Sequence, residues 1–203
     1  FRYMLIMSIA LTAIHVMVAF TPLFYVVAGN LLKVPIELHE SGRLGLQIMT
    51  PWTIMIAWRR LNQGAMIKYG NSRAVAVGTA IRLVTLITVL TIGMNYTGWS
   101  GVMTGSIAVA IAVTIEALYA HVTVQKILKT NLPLSSDAKP ITRDSFVRFY
   151  LPLAMTPLLT LLLHPAGAAG MSRMPDALAS LASWPVVWGL VFLLRSMAFA
   201  FNE

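Results

Sequence analysis

The sequence predicts an all-α, polytopic transmembrane bundle of about six spanning helices, with both chain ends on the cytoplasmic side. Three observations predict it. Apolar residues (AVILMFWYC) make up 58% of the 203 residues and charged residues only 11%, where a soluble domain carries about 25% charge. The apolar residues fall in six long runs, not in the alternating segments of about ten residues that a membrane barrel needs. Most of the 15 basic residues sit on alternate connections between those runs.

This composition excludes a small soluble enzyme, a disordered chain and a charged-faced nucleic-acid binder. The formal net charge of +8 reads first as membrane topology. With no cysteine there is no disulfide framework, thiolate chemistry or zinc–sulfur site.

A spanning helix needs about 20 mostly apolar residues. The first segment is Met4–Ala28, interrupted at Thr12, His15, Thr21 and Pro22. It is too long for a signal-peptide core, and no small-residue cleavage site follows it. The second, Leu44–Trp58, is short. Ala74–Met94, Val102–Gln125, Phe146–Leu163 and Ala177–Phe199 follow. Backbone groups cannot stay unpaired in lipid, so runs of this length are helical. The connection 126–145 holds Asn131-Leu132-Pro133 and Ser135-Ser136-Asp137, a loop signature. The chain opens Phe1-Arg2-Tyr3-Met4 and stops just after an apolar run, which reads as part of a longer membrane protein.

Charge tests this division independently. With the N-terminus inside, the inner segments hold Arg2, Arg59, Arg60, Lys68, Arg73, Lys126, Lys129, Lys139 and Arg143, with Arg148 and Arg195 at adjoining helix ends. The outer segments hold Lys33, Arg43 and Arg173. Eleven against three is a positive-inside bias. Anchoring is the plain reading of the basic loops, and binding of anionic headgroups is the functional one.

Polar residues inside the segments mark candidate sites. A carboxylate at Glu116, near the middle of the fourth segment, is costly unless it is paired, protonated or facing water. Gly101, Gly105, Ala108, Ala112, Glu116 and Ala120 recur at helical spacing, and small residues let another helix approach. Arg82 lies mid-way along the third segment. An antiparallel hairpin of these two segments puts Arg82 and Glu116 at comparable depth, so an ion pair is expected. It is either a structural pair or part of a substrate or proton pathway. His15, mid-way along the first segment, either titrates in such a pathway or donates one hydrogen bond to a neighbouring helix. Gln47 is a weaker case of the same kind.

Prolines interrupt the segments at Pro22, Pro51, Pro152, Pro157 and Pro185. Each removes a backbone donor and favours a kink, and transporters use broken helices for binding and gating. Proline is also common in membrane helices. His-Glu-x-x-His, Gly-x-Ser-x-Gly and a phosphate-cradling Gly-rich loop are all absent. His39-Glu40-Ser41 is not a metal motif. The expectation is no enzyme, no metal and no cofactor.

Two stretches carry a family resemblance. One runs from Leu44 to Arg82 and contains Ala57-Trp58-Arg59-Arg60-Leu61-Asn62-Gln63-Gly64 and Asn71-Ser72-Arg73. The other runs from Phe149-Tyr150-Leu151-Pro152-Leu153-Ala154 through Ser172-Arg173-Met174-Pro175-Asp176 to Leu194-Arg195-Ser196. Together they resemble the superfamily of multidrug and toxic-compound extrusion (MATE-like) transporters and polysaccharide and lipid flippases, nearest its branch of the progressive ankylosis protein and bacterial relatives. That resemblance implies two six-helix bundles around a central cavity, rocking to alternate access. Residues 1–130 are then the last four helices of a first bundle, 131–145 a cytoplasmic linker, and 146–203 the first two helices of a second. Pro152 or Pro157 matches a proline that faces the cavity in the family. The chain departs from the pattern in being half-length. It also lacks the run of intramembrane carboxylates of proton-coupled members, since Glu116 alone is central.

The expectation from all of this is an alternating-access exporter or flippase for a small, anionic or amphipathic substrate. It sits in a bacterial inner membrane as part of a longer transporter chain, with the bilayer and a small-molecule or lipid substrate as partners and no nucleic acid. The alternative is a non-transporting scaffold or assembly subunit, which buries Arg82 and Glu116 purely as glue.

Overall fold

The computed structural model describes residues 2–131 and 142–200, except the side chains of 130, 131, 156, 157, 160, 161 and 195–200. Most of the expected linker 131–145 and the side chain of Pro157 lie outside the described residues. Within them every regular element is helical: α1 (Arg2–Phe20), α2 (Leu23–Tyr25), a π-helical stretch (Val26–Leu31), a 3-10 turn (Ile36–Leu38), α3 (His39–Ile48), α4 (Thr50–Lys68), α5 (Ser72–Tyr96), α6 (Gly101–Asn131), α7 (Arg143–Met171) and α8 (Ala177–Ala200). Four stretches among the described residues are long and apolar enough to cross a membrane: Arg2–Phe20, Ser72–Tyr96, Gly101–Lys129 and Ala177–Leu194.

The boundaries differ from the sequence expectation where proline acts. The expected first segment, Met4–Ala28, ends early. Pro22 has no N–H to return to the preceding turn, so α1 stops at Phe20 and the chain restarts as α2 and a π-helical stretch. The expected second segment, Leu44–Trp58, straddles a break at Met49. Pro51 lies in the first turn of α4, where its missing donor costs nothing. It therefore starts a helix and does not kink one. Residues 59–68, read from the sequence as part of an inner loop, continue α4 for almost three further turns. That helix ends in a Schellman arrangement, with Gly70 N–H on Ile67 O and Asn71 N–H on Met66 O (both 2.9 Å). Its glycine has φ +74°, a left-handed conformation that favours this residue. α7 runs unbroken through Pro152 and on past His164-Pro165 to Met171, eight residues beyond the expected end at Leu163. α8 runs unbroken through Pro185.

The chain divides into two compact units. One is Phe1–Phe24 with Glu40–Arg148, and the other is Tyr25–His39 with Phe149–Glu203. In the second unit α8 sets Trp184 and Trp188 side by side (ring centroids 5.5 Å) and meets α7 through His164, edge-on to Trp188 at 4.4 Å. Gly167 provides the room, since a Cβ there meets the Trp184 ring at 3.3 Å.

In the first unit α5 and α6 form the expected antiparallel hairpin. Gly93 faces Thr104 and Gly78 faces Tyr119, so the register is continuous along the pair. The small residues in contact are thus partly different from the expected face, because a Cβ at Gly101 or Gly105 meets nothing within 4 Å. α4 lies parallel to α6, with Arg59 on Glu116 and Trp58 on His121. α1 lies antiparallel to α4, with His15 on Thr53 and both Arg43 and Gln47 of α3 on Ala19. The start of α1, the turn 69–71 and the end of α6 therefore share one end of this unit. Tyr3 stacks on Phe146 there at 4.9 Å.

Candidate functional site

Glu116 is the centre of the first unit and its side chain is 0% exposed. Neighbouring buried positions on α6 are small: Ala112, Ala117 and Ala120. They admit α4 and α5 close enough to reach the carboxylate. Arg59 Nη1 donates to Oε2 at 2.5 Å and Gln63 Nε2 donates to Oε1 at 3.1 Å. Both donors come from α4, one turn apart, on the same buried face as Asn62 and Met66. Arg82 Nε approaches Oε2 from α5 at 3.5 Å. Gly78 lies one turn before Arg82. A Cβ there meets Tyr119 at 3.2 Å and Glu116 Cγ at 3.6 Å, so glycine keeps α5 near the carboxylate.

The expected ion pair of Arg82 with Glu116 is present, but Arg82 is the outer partner. Arg59, expected from the sequence in an inner loop, lies in α4 and is the inner one. Two guanidinium groups share one carboxylate, which leaves a net charge of +1 in the cluster. The two cations differ in setting. Arg59 is buried, with a 6% exposed side chain, and its Nε has no hydrogen-bond partner. Arg82 is 38% exposed and lines a cavity of about 380 Å³ with Thr79 and an apolar wall that includes Trp52, Ile56, Leu86 and Val113. A partly exposed guanidinium on an otherwise apolar wall has the chemistry to pair with an anionic group.

His15 is not part of this cluster. Its Nε2 meets the Leu46 carbonyl at 2.9 Å and its Nδ1 meets Thr53 Oγ1 at 2.7 Å. A carbonyl only accepts, so Nε2 carries the proton. In the neutral ring the Thr53 hydroxyl then donates to Nδ1. The residue clamps α1 to α3 and α4. Gln47 Nε2 and Arg43 Nε donate to Ala19 O at 3.1 and 3.2 Å, and Arg43 Nη2 to Phe20 O at 3.2 Å. These are carbonyls of the last turn of α1, left without helical partners ahead of Pro22.

Among the prolines, Pro22 stands at a helix break, Pro51 at a helix start, and Pro152 and Pro185 inside continuous helices. None of these four lines the Arg82 cavity. The described residues hold no cluster of three or more His, Asp or Glu able to bind a metal. The signal for Arg59 was available in the sequence. Trp52, Ile56, Arg59, Gln63 and Met66 recur at helical spacing straight through the supposed loop. Comparison with protein families, with curated proteins and with solved structures finds no match.

Proposed function

We propose that this chain is part of a membrane transporter, an alternating-access exporter or flippase, whose path passes the Arg82 cavity and carries a small anionic or amphipathic substrate. The observation that carries the proposal is the division of labour at Glu116. Arg59 and Gln63 hold the carboxylate at hydrogen-bond distance, while Arg82 pairs with it more loosely, at 3.5 Å, and is still 38% exposed on the cavity wall. A half-exposed cation among apolar side chains is costly as mere glue. The membrane setting is supported by α1, α5 and α8, which leave large apolar residues exposed, among them Ile9, Leu83 and Leu194. Helices hydrophobic all round belong in lipid or inside a larger bundle. The positive-inside count supports a cytoplasmic location for the shared end that holds Tyr3, the 69–71 turn and the end of α6. α4 takes in Arg59, Arg60 and Lys68, and without those three the inner segments still hold eight basic residues against three outside.

The scaffold reading has one observation in its favour, the Arg59–Glu116–Gln63 cluster, which links α4 to α6 whatever else the protein does. Flux separates the two. Proteoliposomes are loaded with carboxyfluorescein, a fluorescent organic anion. Matching vesicles carry a fluorescent short-chain phosphatidylglycerol, whose transfer between leaflets is read by quenching. Transport of either probe by the intact protein, lowered at least several-fold by Arg82→Ala and by Glu116→Gln, supports the transporter. No protein-dependent movement of either probe, or flux unchanged in both variants, refutes the assigned path. Melting curves run beside the flux assay, because Glu116→Gln also destabilises.

A further inference from the structure

A second cavity lies between α4 and α6, on the side of the Glu116 cluster nearer the basic helix ends. It measures about 360 Å³, roughly a dozen water-sized groups at ~30 Å³ each. Trp58 and His121 form one wall, with ring centroids 5.2 Å apart. Leu61, Ala65, Val124 and Leu128 form an apolar floor, and Asn62 and Gln125 are the other polar residues of the lining. Gln125 Nε2 donates to His121 Nε2 at 2.9 Å, which fixes that ring as the acceptor of the bond and orients it.

Asn62 is the unusual member. It is only 7% exposed, and its Nδ2 has no hydrogen-bond partner. A buried amide donor left unmatched is unfavourable, and none of the cavity floor can accept from it. Beyond the Arg59–Glu116 pair, the helix ends carry charge of one sign. From Arg60 to Lys68 on α4 and from Ala117 to Asn131 on α6 the basic residues are Arg60, Lys68, Lys126 and Lys129, with no Asp or Glu. Asn62 lies six residues from Lys68, about 9 Å along the helix at 1.5 Å per residue. Gln125 lies nine residues past Glu116, about 13 Å by the same rise, which is near half the thickness of a ~30 Å hydrocarbon core.

We propose that this groove holds one acidic phospholipid. A glycerol-ester oxygen accepts from Asn62 Nδ2, the phosphate lies toward the basic helix ends, and an acyl chain passes the Trp58–His121 wall. The proposal rests on the bilayer setting above and not on transport, so it can fail while flux stands, and the reverse. It is the depth of the buried donor together with the one-signed rim that selects a lipid over a soluble anion.

The test is lipid retention. The full chain is reconstituted in nanodiscs of phosphatidylcholine with phosphatidylglycerol, extracted in mild detergent, and its bound phospholipid is read by native mass spectrometry. The intact protein is expected to retain one phosphatidylglycerol in preference to phosphatidylcholine. Asn62→Leu removes the donor at similar size and is expected to lower retention about five-fold, the factor for one hydrogen bond. Leu128→Trp fills the groove from a partly exposed position of its floor and is expected to abolish retention. It covers the case in which Asn62→Leu folds poorly, which lipid-free melting reports. Equal retention of both lipids, no retained lipid, or unchanged retention in Leu128→Trp overturns the proposal. Displacement by glycerol phosphate as effective as that by phosphatidylglycerol overturns the lipid in favour of a free phosphate compound.

Discussion

Breaking the buried cluster at Glu116 has an outcome that the geometry ranks in advance. Glu116→Gln keeps the size of the side chain and removes its charge. Arg59 is then a buried cation without a counter-charge, facing a second cation at Arg82. Losing one partner of a buried pair costs about 3–5 kcal/mol, a large part of the ~5–15 kcal/mol that holds a domain together. Arg59→Met leaves Glu116 with Gln63 at 3.1 Å and Arg82 at 3.5 Å, so its cost belongs at the lower end of that range. Arg82→Ala removes a partly exposed and more distant partner, and costs about 1 kcal/mol or less. The order of destabilisation is therefore Glu116→Gln, then Arg59→Met, then Arg82→Ala. The double variant Arg59→Met with Glu116→Leu replaces the pair by apolar groups. It should recover much of the loss, with a coupling of about 1–3 kcal/mol. Reversible unfolding in mixed micelles, followed by helical circular dichroism, measures these four and the Glu116→Leu single that closes the cycle. If Arg82→Ala costs as much as Glu116→Gln, or if the double variant costs the sum of its two singles, Arg59 is not the primary partner and the reasoning fails.

Other substitutions probe the packing and the topology. Gly93→Ala should destabilise by about 1–3 kcal/mol, because a Cβ there meets Thr104 Cγ2 at 2.5 Å. Gly64→Ala, with nothing within 4 Å of its Cβ, should stabilise α4 by about 0.5–1 kcal/mol, and melting curves of the pair check the contrast. His15→Ala should cost about 1–3 kcal/mol by leaving the Leu46 carbonyl and Thr53 hydroxyl unmatched, while flux per folded molecule stays unchanged. A drop in flux at full stability returns His15 to the pathway. The chain has no cysteine, so single-cysteine labelling has no background. Asn71→Cys should react only from the cytoplasmic side and Thr97→Cys only from the other, and the reverse pattern, or the same side for both, overturns the topology.

The helical class and the greater part of the apolar segments were legible from the sequence, because each depends on the local density of apolar side chains along one stretch of chain. Glu116 and Arg82 were legible as a pair for the same reason. Each stands alone in an apolar run, and a hairpin of neighbouring segments brings them level. What the sequence left open depends on contacts between distant stretches. Arg59-Arg60-Leu61-Asn62-Gln63 looks like a solvated loop when its polarity is counted locally. Its helical continuation becomes favourable only once Glu116, 57 residues away, supplies the counter-charge that lets Arg59 and Gln63 be buried. In the same way His15 has no visible role until Thr53 and the Leu46 carbonyl arrive on another helix. Local hydrophobicity determined the apolar helical stretches. Only the packing of α4 between α1 and α6 decided which polar side chains are satisfied and which, like Arg59 at Nε and Asn62 at Nδ2, keep an unmatched group, because electrostatic and hydrogen-bond partners are chosen by proximity in space, which spacing along one stretch of chain does not specify.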